Sequence, residues 1–206
     1  MVLGFSAFYL AGFVLLEKRY VPSVHIMTLP IDYQIPFLEI FVIPYLLWFV
    51  YVGGAVAYFL LHTDEDFDRF ALFLAFGMTL FLVISAVYPN GLDLRPMRFE
   101  RTNIFTQLVR LIWVHDTPTN VLPSIHVYNS VAVCLAVKRS HLAQKNRNWF
   151  YGSVILSILI ILSTVFLKQH SVFDVACGLA LAAVADHMYY GVRVPVRRRR
   201  VNRQWT

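Results

Sequence analysis

A bundle of membrane-spanning helices is the fold this sequence predicts, and three observations point there. Hydrophobic residues make up 58% of the 206 residues, charged residues only 15%, and the mean hydropathy is +0.60. Soluble chains average about 45–50% apolar and about 25% charged, and a globule this small has too little interior for the excess. Charge-free runs at or near the roughly 20 residues that cross a bilayer recur along the chain, at 1–16, 40–61, 70–92, 117–137 and 148–167. Basic residues gather between the runs rather than within them. Composition therefore excludes a soluble enzyme, a disordered tail and a disulfide scaffold. The expectation is an all-α polytopic membrane protein. It forms a single integral membrane domain over 1–206, a six-transmembrane-helix bundle with an interfacial helix in the outer loop.

The first predicted span, 2–16, is short enough to be mistaken for a signal-peptide core, but it lacks a basic leading region and a small-residue cleavage pattern. Residues 17–36 carry Pro22, Pro30 and Pro36 and read as an extended crossing outside the lipid. The second and third spans are 37–61 and 70–88. The acidic run Asp64-Glu65-Asp66 with Asp68 makes a solvated turn between them. Residues 89–122 form a long polar loop punctuated by Pro89, Asn90, Gly91, Pro96 and Pro118. Inside it, 104–115 has an apolar face of Ile104, Phe105, Leu108, Leu111 and Ile112, with Gln107 and Arg110 off that face. Such a segment suits a helix lying in the interface. The remaining spans are 123–138, 149–167 and 171–191, the last interrupted by Asp174 and Asp186. Trp48, Tyr51, Trp113, Trp149 and Tyr189, near span ends, read as interfacial anchors. Cys134 and Cys177 sit in apolar stretches as packing residues.

With the amino terminus inside, eleven of the 18 basic residues fall on inner segments and seven on outer ones. That bias makes 192–206 a basic cytoplasmic tail rather than a nucleic-acid arm. It also leaves Arg95, Arg98, Arg101 and Arg110 crowded in the outer loop, against the topological trend.

Three polar clusters then share the outer level. Arg95 precedes Pro96, which pins it in extended backbone and aims its planar fork for two parallel bonds to a phosphate. Pro123-Ser124-Ile125-His126 has the grammar of a helix start, with Ser124 as the cap and free amides that favour an anion. His170 and Asp174 stand four apart, so they share one helix face, and a carboxylate there can hold one imidazole nitrogen while the other acts as nucleophile or base. Each cluster alone also reads plainly: a snorkelling charge, an ordinary cap, a capped helix with an interfacial histidine. His25, His62, His115, His141 and His187 have no partner pattern. Only His115-Asp116 stands out, since it shares the loop of Arg95.

The order RP, PSxH, HxxxD on a six-helix chain resembles the type-2 phosphatidic acid phosphatase superfamily of membrane lipid phosphatases, over residues 70–191. Gly178 falls where that family's sixth helix has a small residue. The resemblance implies catalytic roles for three residues. His170 attacks phosphorus and becomes a phosphohistidine, Asp174 holds its ring, and His126 protonates the leaving alkoxide and then activates the acceptor. It implies phosphate binding by Arg95, Ser124 and the amides near Ile125, and no metal or organic cofactor. Two cations usual in the family are replaced here by Tyr88 and Thr164. Lys168, Arg98 or Arg101 would then substitute for them.

The form Lys168-Gln169-His170 with Asp174 looks more like the inositol phosphorylceramide synthase-like branch. The implied activity is a metal-independent phosphoesterase acting on a lipid phosphate monoester or diphosphate, at the extracytoplasmic side of a cell membrane. The alternatives are a phosphotransferase acting on a lipid or polyol hydroxyl, a non-catalytic scaffold or transporter, and a metal site on His126, His170 and Asp174.

Overall fold

The computed structural model describes residues 2–62 and 64–191 of the chain, and they are mostly helical. Helix α1 spans Val2–Lys18, α2 Val42–His62, α3 Asp64–Val87, α4 Ile104–His115, α5 Ile125–Arg139, α6 His141–Lys145, α7 Asn148–Phe166 and α8 Val172–Asp186. The last helix runs on through one π turn, His187–Gly191. The basic tail expected over 192–206 lies outside the described residues.

Among the described residues four helical stretches are long and apolar enough to cross a membrane: Glu39–His62, Asp66–Val87, Asn148–Phe166 and Val172–Gly191. At 1.5 Å per residue each covers roughly 30 Å or slightly more. Helices α1 and α5, 17 and 15 residues long, fall short of that length. The reason for α5 is local. Ser124 caps its start by accepting a hydrogen bond from Val127 N at 3.4 Å, and the chain turns out of the helix at Ser140. Its setting is unusual too, because α2, α3, α7 and α8 all pack around it. That enclosure buries Tyr128, Asn129, Ser130 and Val133 alike, so α5 meets protein on most sides.

Two contacts make the enclosure tight. The Tyr128 hydroxyl donates to Phe73 O at 2.6 Å, and its ring fills the space that a side chain at Gly77 would need. A Cβ at Gly178 would lie 2.8 Å from Ser124 O and 3.1 Å from Val127 Cβ. Glycine at 178 therefore sets how near α8 comes to the start of α5.

The segment expected as an extended crossing is more ordered than that. His25–Ile26 (β1) pairs in parallel with Asn90–Gly91 (β2), and Pro30–Tyr33 forms a short 3-10 turn. The side chain of Asn90 organises the junction: its Oδ1 accepts from Val121 N at 2.8 Å and Leu122 N at 2.9 Å. Glu17, at the end of α1, accepts from Thr117 N at 3.2 Å and Asn120 Nδ2 at 3.0 Å. Short polar side chains thus fasten the loop that leads into α5.

Helix α4 occupies the predicted residues. Asn103 and Thr106 close a reciprocal cap, with backbone-to-side-chain bonds of 2.9 and 3.0 Å. Of the expected apolar face, Phe105, Leu108 and Ile112 turn inward. Thr106 and Val109 are buried, while Ile104 and Leu111 are exposed. Together with Val109, the three inward residues meet Val42, Tyr45 and Leu167 across the top of α2.

Candidate functional site

Helices α5 and α8 begin side by side. Ser124 N donates to Asp174 O at 3.3 Å, so the two helix starts are joined through the backbone. The turn out of α7 is equally constrained: Gln169 N and His170 N both donate to Thr164 O, at 2.9 and 3.1 Å. These restraints bring His126 and His170, 44 positions apart in sequence, to a ring-centroid separation of 5.6 Å with the rings at 60°. Both rings are nearly buried, 8% and 6% exposed.

Asp174 stands beside this pair, but its first task is structural. Its Oδ2 accepts from Ser171 N at 2.9 Å, while Ser171 Oγ accepts from Asp174 N at 3.1 Å. This reciprocal cap opens α8. His170 Nδ1 lies 3.6 Å from the same oxygen, which is ion-pair distance rather than a hydrogen bond. The other oxygen, Oδ1, is buried and has no partner among the described residues.

The histidines form one wall of a cavity of about 500 Å³. Tyr9, Leu10 and Phe13 of α1 face Tyr45, Trp48 and Phe49 of α2 across it, and Phe81 of α3 completes the apolar part. The rings of Tyr45 and Trp48 lie 4.6 and 4.4 Å from that of His126. Leu10, Phe49 and Leu111 line the cavity and are also well exposed on the outer surface of the bundle. The cavity therefore opens sideways between α1, α2 and α4.

Asp116, Asn120 and Gln169 supply its polar groups. Tyr45 Oη donates to Asp116 Oδ2 at 2.8 Å, and Gln169 Nε2 donates to the same oxygen at 3.0 Å. Behind them, Arg95 donates to Asp116 O at 2.7 Å, to Trp113 O at 3.2 Å and to the Gln169 side-chain oxygen. Burial pushes the Asp116 carboxyl above its usual range, against the opposing pull of its hydrogen bonds and of the nearby positive charge. Burial likewise lowers the Arg95 guanidinium, and Asp116 opposes that shift.

The remaining predicted site residues divide clearly. Ser124 is fully buried as the α5 cap, and Ile125 follows it and lines the cavity. Arg95 reaches the cavity only through Gln169 and Asp116, since no lysine or arginine lines it. Lys168 does not face the cavity. Its φ of 57° ends α7 in the left-handed region and turns the side chain the other way, where Nζ donates to Asp32 O at 2.7 Å and to Ile35 O. Arg98 is exposed and makes no side-chain hydrogen bond among the described residues. At the two positions where the resembled family carries cations, Tyr88 stacks on His25 with centroids 4.3 Å apart, and the Thr164 hydroxyl donates to Ile161 O at 2.8 Å.

Tyr45, Trp48 and Gln169 were not singled out by motif, because nothing in their local sequence marks them. Asp116 carried a signal, through its place beside His115 in the loop of Arg95. Among the described residues no group of three or more His, Cys, Asp or Glu side chains comes together as a metal-binding set. No family model, curated protein or solved structure matches the chain.

Proposed function

We propose that this chain is an integral membrane phosphoesterase of the type-2 phosphatidic acid phosphatase kind, hydrolysing a lipid phosphate through a phosphohistidine. The observation that carries the reading is the meeting of two nearly buried imidazoles, 5.6 Å apart, on a cavity that opens toward the lipid-facing surface. In this reading α1 and α5 complete a six-helix bundle, α4 lies in the interface, and the site faces the extracytoplasmic leaflet.

The chemistry follows from the two rings. The His170 Nε2 lone pair forms a bond to phosphorus while the bond to the ester oxygen breaks. The departing alkoxide takes a proton from His126 Nε2, which has first received it from the bound phosphate monoanion. Asp174, whose Oδ2 lies 3.6 Å from His170 Nδ1, stabilises the positive charge that develops there. A water deprotonated by His126 then attacks phosphorus, releasing inorganic phosphate and restoring His170. Arg95 acts from behind, polarising the Gln169 amide that lines the cavity, and the α5 amides beyond Ser124 favour the phosphoryl oxygens. No cofactor takes part in these steps. The sideways opening, bounded by Leu10, Phe49 and Leu111, suits an acyl or isoprenoid chain that remains in the bilayer.

Phosphotransfer to a second alcohol is the alternative. A cavity of about 500 Å³ leaves room for an acceptor larger than water, and its apolar walls keep water scarce. Purified protein in detergent, given a panel of lipid phosphates and diphosphates, separates the readings. Phosphate released without an added alcohol, insensitive to chelator and blocked by vanadate, is the expected result. Turnover only in the presence of an acceptor alcohol favours transfer. No phosphoryl product from any donor, with or without acceptor, leaves a scaffold or transporter and overturns the proposal.

A further inference from the structure

Low-dielectric interiors rarely leave polar atoms alone, because an unpaired buried donor or acceptor costs much of its lost hydration. Four such atoms lie on α5 and on the stretch of α2 that packs against it. His126 Nδ1, Asn129 Oδ1, Ser130 Oγ and Trp48 Nε1 are all buried without a hydrogen-bond partner among the described residues. Asn129 is 2% exposed and Ser130 fully buried.

Helix geometry gathers them. Asn129 and Ser130 follow His126 by three and four residues, so both side chains neighbour it on one face, about 5–6 Å apart at Cβ. Trp48 belongs to α2, and its ring centroid lies 4.4 Å from that of His126. One turn further along, the seam is closed by hydroxyls. Tyr51 Oη lies 3.0 Å from Ser157 Oγ, which donates to Ser130 O at 3.1 Å.

The chemistry of the four atoms is complementary to one species. The indole nitrogen can only donate and the amide oxygen can only accept, while the imidazole nitrogen and the hydroxyl take either role. A buried water typically makes two to four hydrogen bonds to such groups. Accepting from Trp48 and His126 and donating to Asn129 and Ser130 would fill its valence. No other small ligand is needed to match that set.

We propose that this seam between α2, α5 and α7 is a binding site for a buried structural water, and that Asn129, acting through that water, is a positioning residue for His126. The water accepts from His126 Nδ1–H because Asn129 Oδ1 and Ser130 Oγ occupy both of its protons. Nδ1 thereby keeps its proton, and Nε2 is the nitrogen left for the cavity. The water site stands independently of the phosphoesterase reading, and only its effect on turnover rests on that reading.

Three measurements on the full chain test it. A density map at better than about 2 Å should show a water within hydrogen-bond distance of at least two of the four atoms. The nitrogen shifts of ¹⁵N-histidine-labelled protein should report a neutral His126 protonated at Nδ1, and a mixed tautomer in Asn129→Leu. The third is stability. Replacing a lone buried amide by an apolar residue of like shape is neutral or stabilising, whereas removing a water's partner is destabilising. Asn129→Leu should thus lower the melting temperature, by about 2–4 °C per kcal/mol lost, and Asn129→Asp should restore the Nδ1 tautomer. A seam without density, or an Asn129→Leu variant that melts higher with His126 unchanged, overturns the proposal. If Asn129→Leu does not fold, the map and the wild-type tautomer decide alone. Loss of phosphatase activity in the wild type would leave all three readouts intact, so the two proposals fail separately.

Discussion

The turn between α7 and α8 places two ionisable side chains two residues apart and treats them oppositely. Lys168 points to one side and is held there: its ammonium donates to the carbonyls of Asp32 and Ile35. The Asp32 carboxylate below them accepts from Leu29 N at 2.7 Å and Val172 N at 2.8 Å. His170 points to the other side and lines the cavity, and its Nδ1 makes no hydrogen bond among the described residues, with the Asp174 carboxylate 3.6 Å away. Both residues are about 6% exposed, so burial alone does not distinguish them. Satisfaction does. A buried polar group whose bonds are complete holds the fold, and one left with capacity facing a cavity is equipped to act on something else.

The largest effect should come from the unsatisfied side. His170→Ala removes the proposed nucleophile, and phosphate release should fall by about three orders of magnitude or more. The melting temperature should stay level or rise, since no hydrogen bond is lost. An active His170→Ala protein would place His170 with Lys168 as a structural group.

A mirror-image result is expected on the other side. Lys168→Met leaves two carbonyls and the Asp32 clasp without their cation, which costs about 1–3 kcal/mol. Thermal unfolding should register that loss, while kcat of the folded fraction changes by less than about tenfold. Abolished turnover with unchanged melting would show that the ammonium serves the chemistry after all.

The smallest effect concerns Asp116, which combines both conditions: it is hydrogen-bonded and it lines the cavity. Burial raises its folded-state pKa above the ordinary 3.8, so the folded protein holds this proton more firmly than the unfolded chain. Its contribution is therefore fully present below about pH 3.8 and is lost as pH rises through the folded value. Asp116→Asn, neutral throughout, should flatten that decline and melt slightly higher than the parent near neutral pH. An unaltered pH profile would mean that the carboxylate is already compensated by Arg95.

Helical character was legible in the composition and in the charge-free runs, because lipid-facing length and apolarity are local properties. The shortness of α5 was less so. Its 15 residues are shielded by four other helices, and that protection depends on packing which no window of sequence reports. At the site, His126, His170 and Asp174 were visible as helix-start patterns, since capping fixes spacing along the chain. Arg95 was visible too, though not the layer of Gln169 and Asp116 between it and the cavity. Tyr45 and Trp48 were hidden as ordinary span residues, because their importance comes from which ring they touch. Lys168 misled because a cation near a proposed nucleophile looks useful, and only the left-handed backbone at 168 reveals that the side chain leaves in the other direction.

Helix α1 packs mainly against α3, yet it supplies Tyr9, Leu10 and Phe13 to the cavity and is anchored at its far end by Glu17. The groups proposed to react belong to different elements, α5 and the α7–α8 turn. Substitutions on α1 can consequently reshape what the protein accommodates while leaving the histidine pair undisturbed. On the proposed function, selectivity and reactivity are thus held in separable parts of one small chain, free to diverge at different rates.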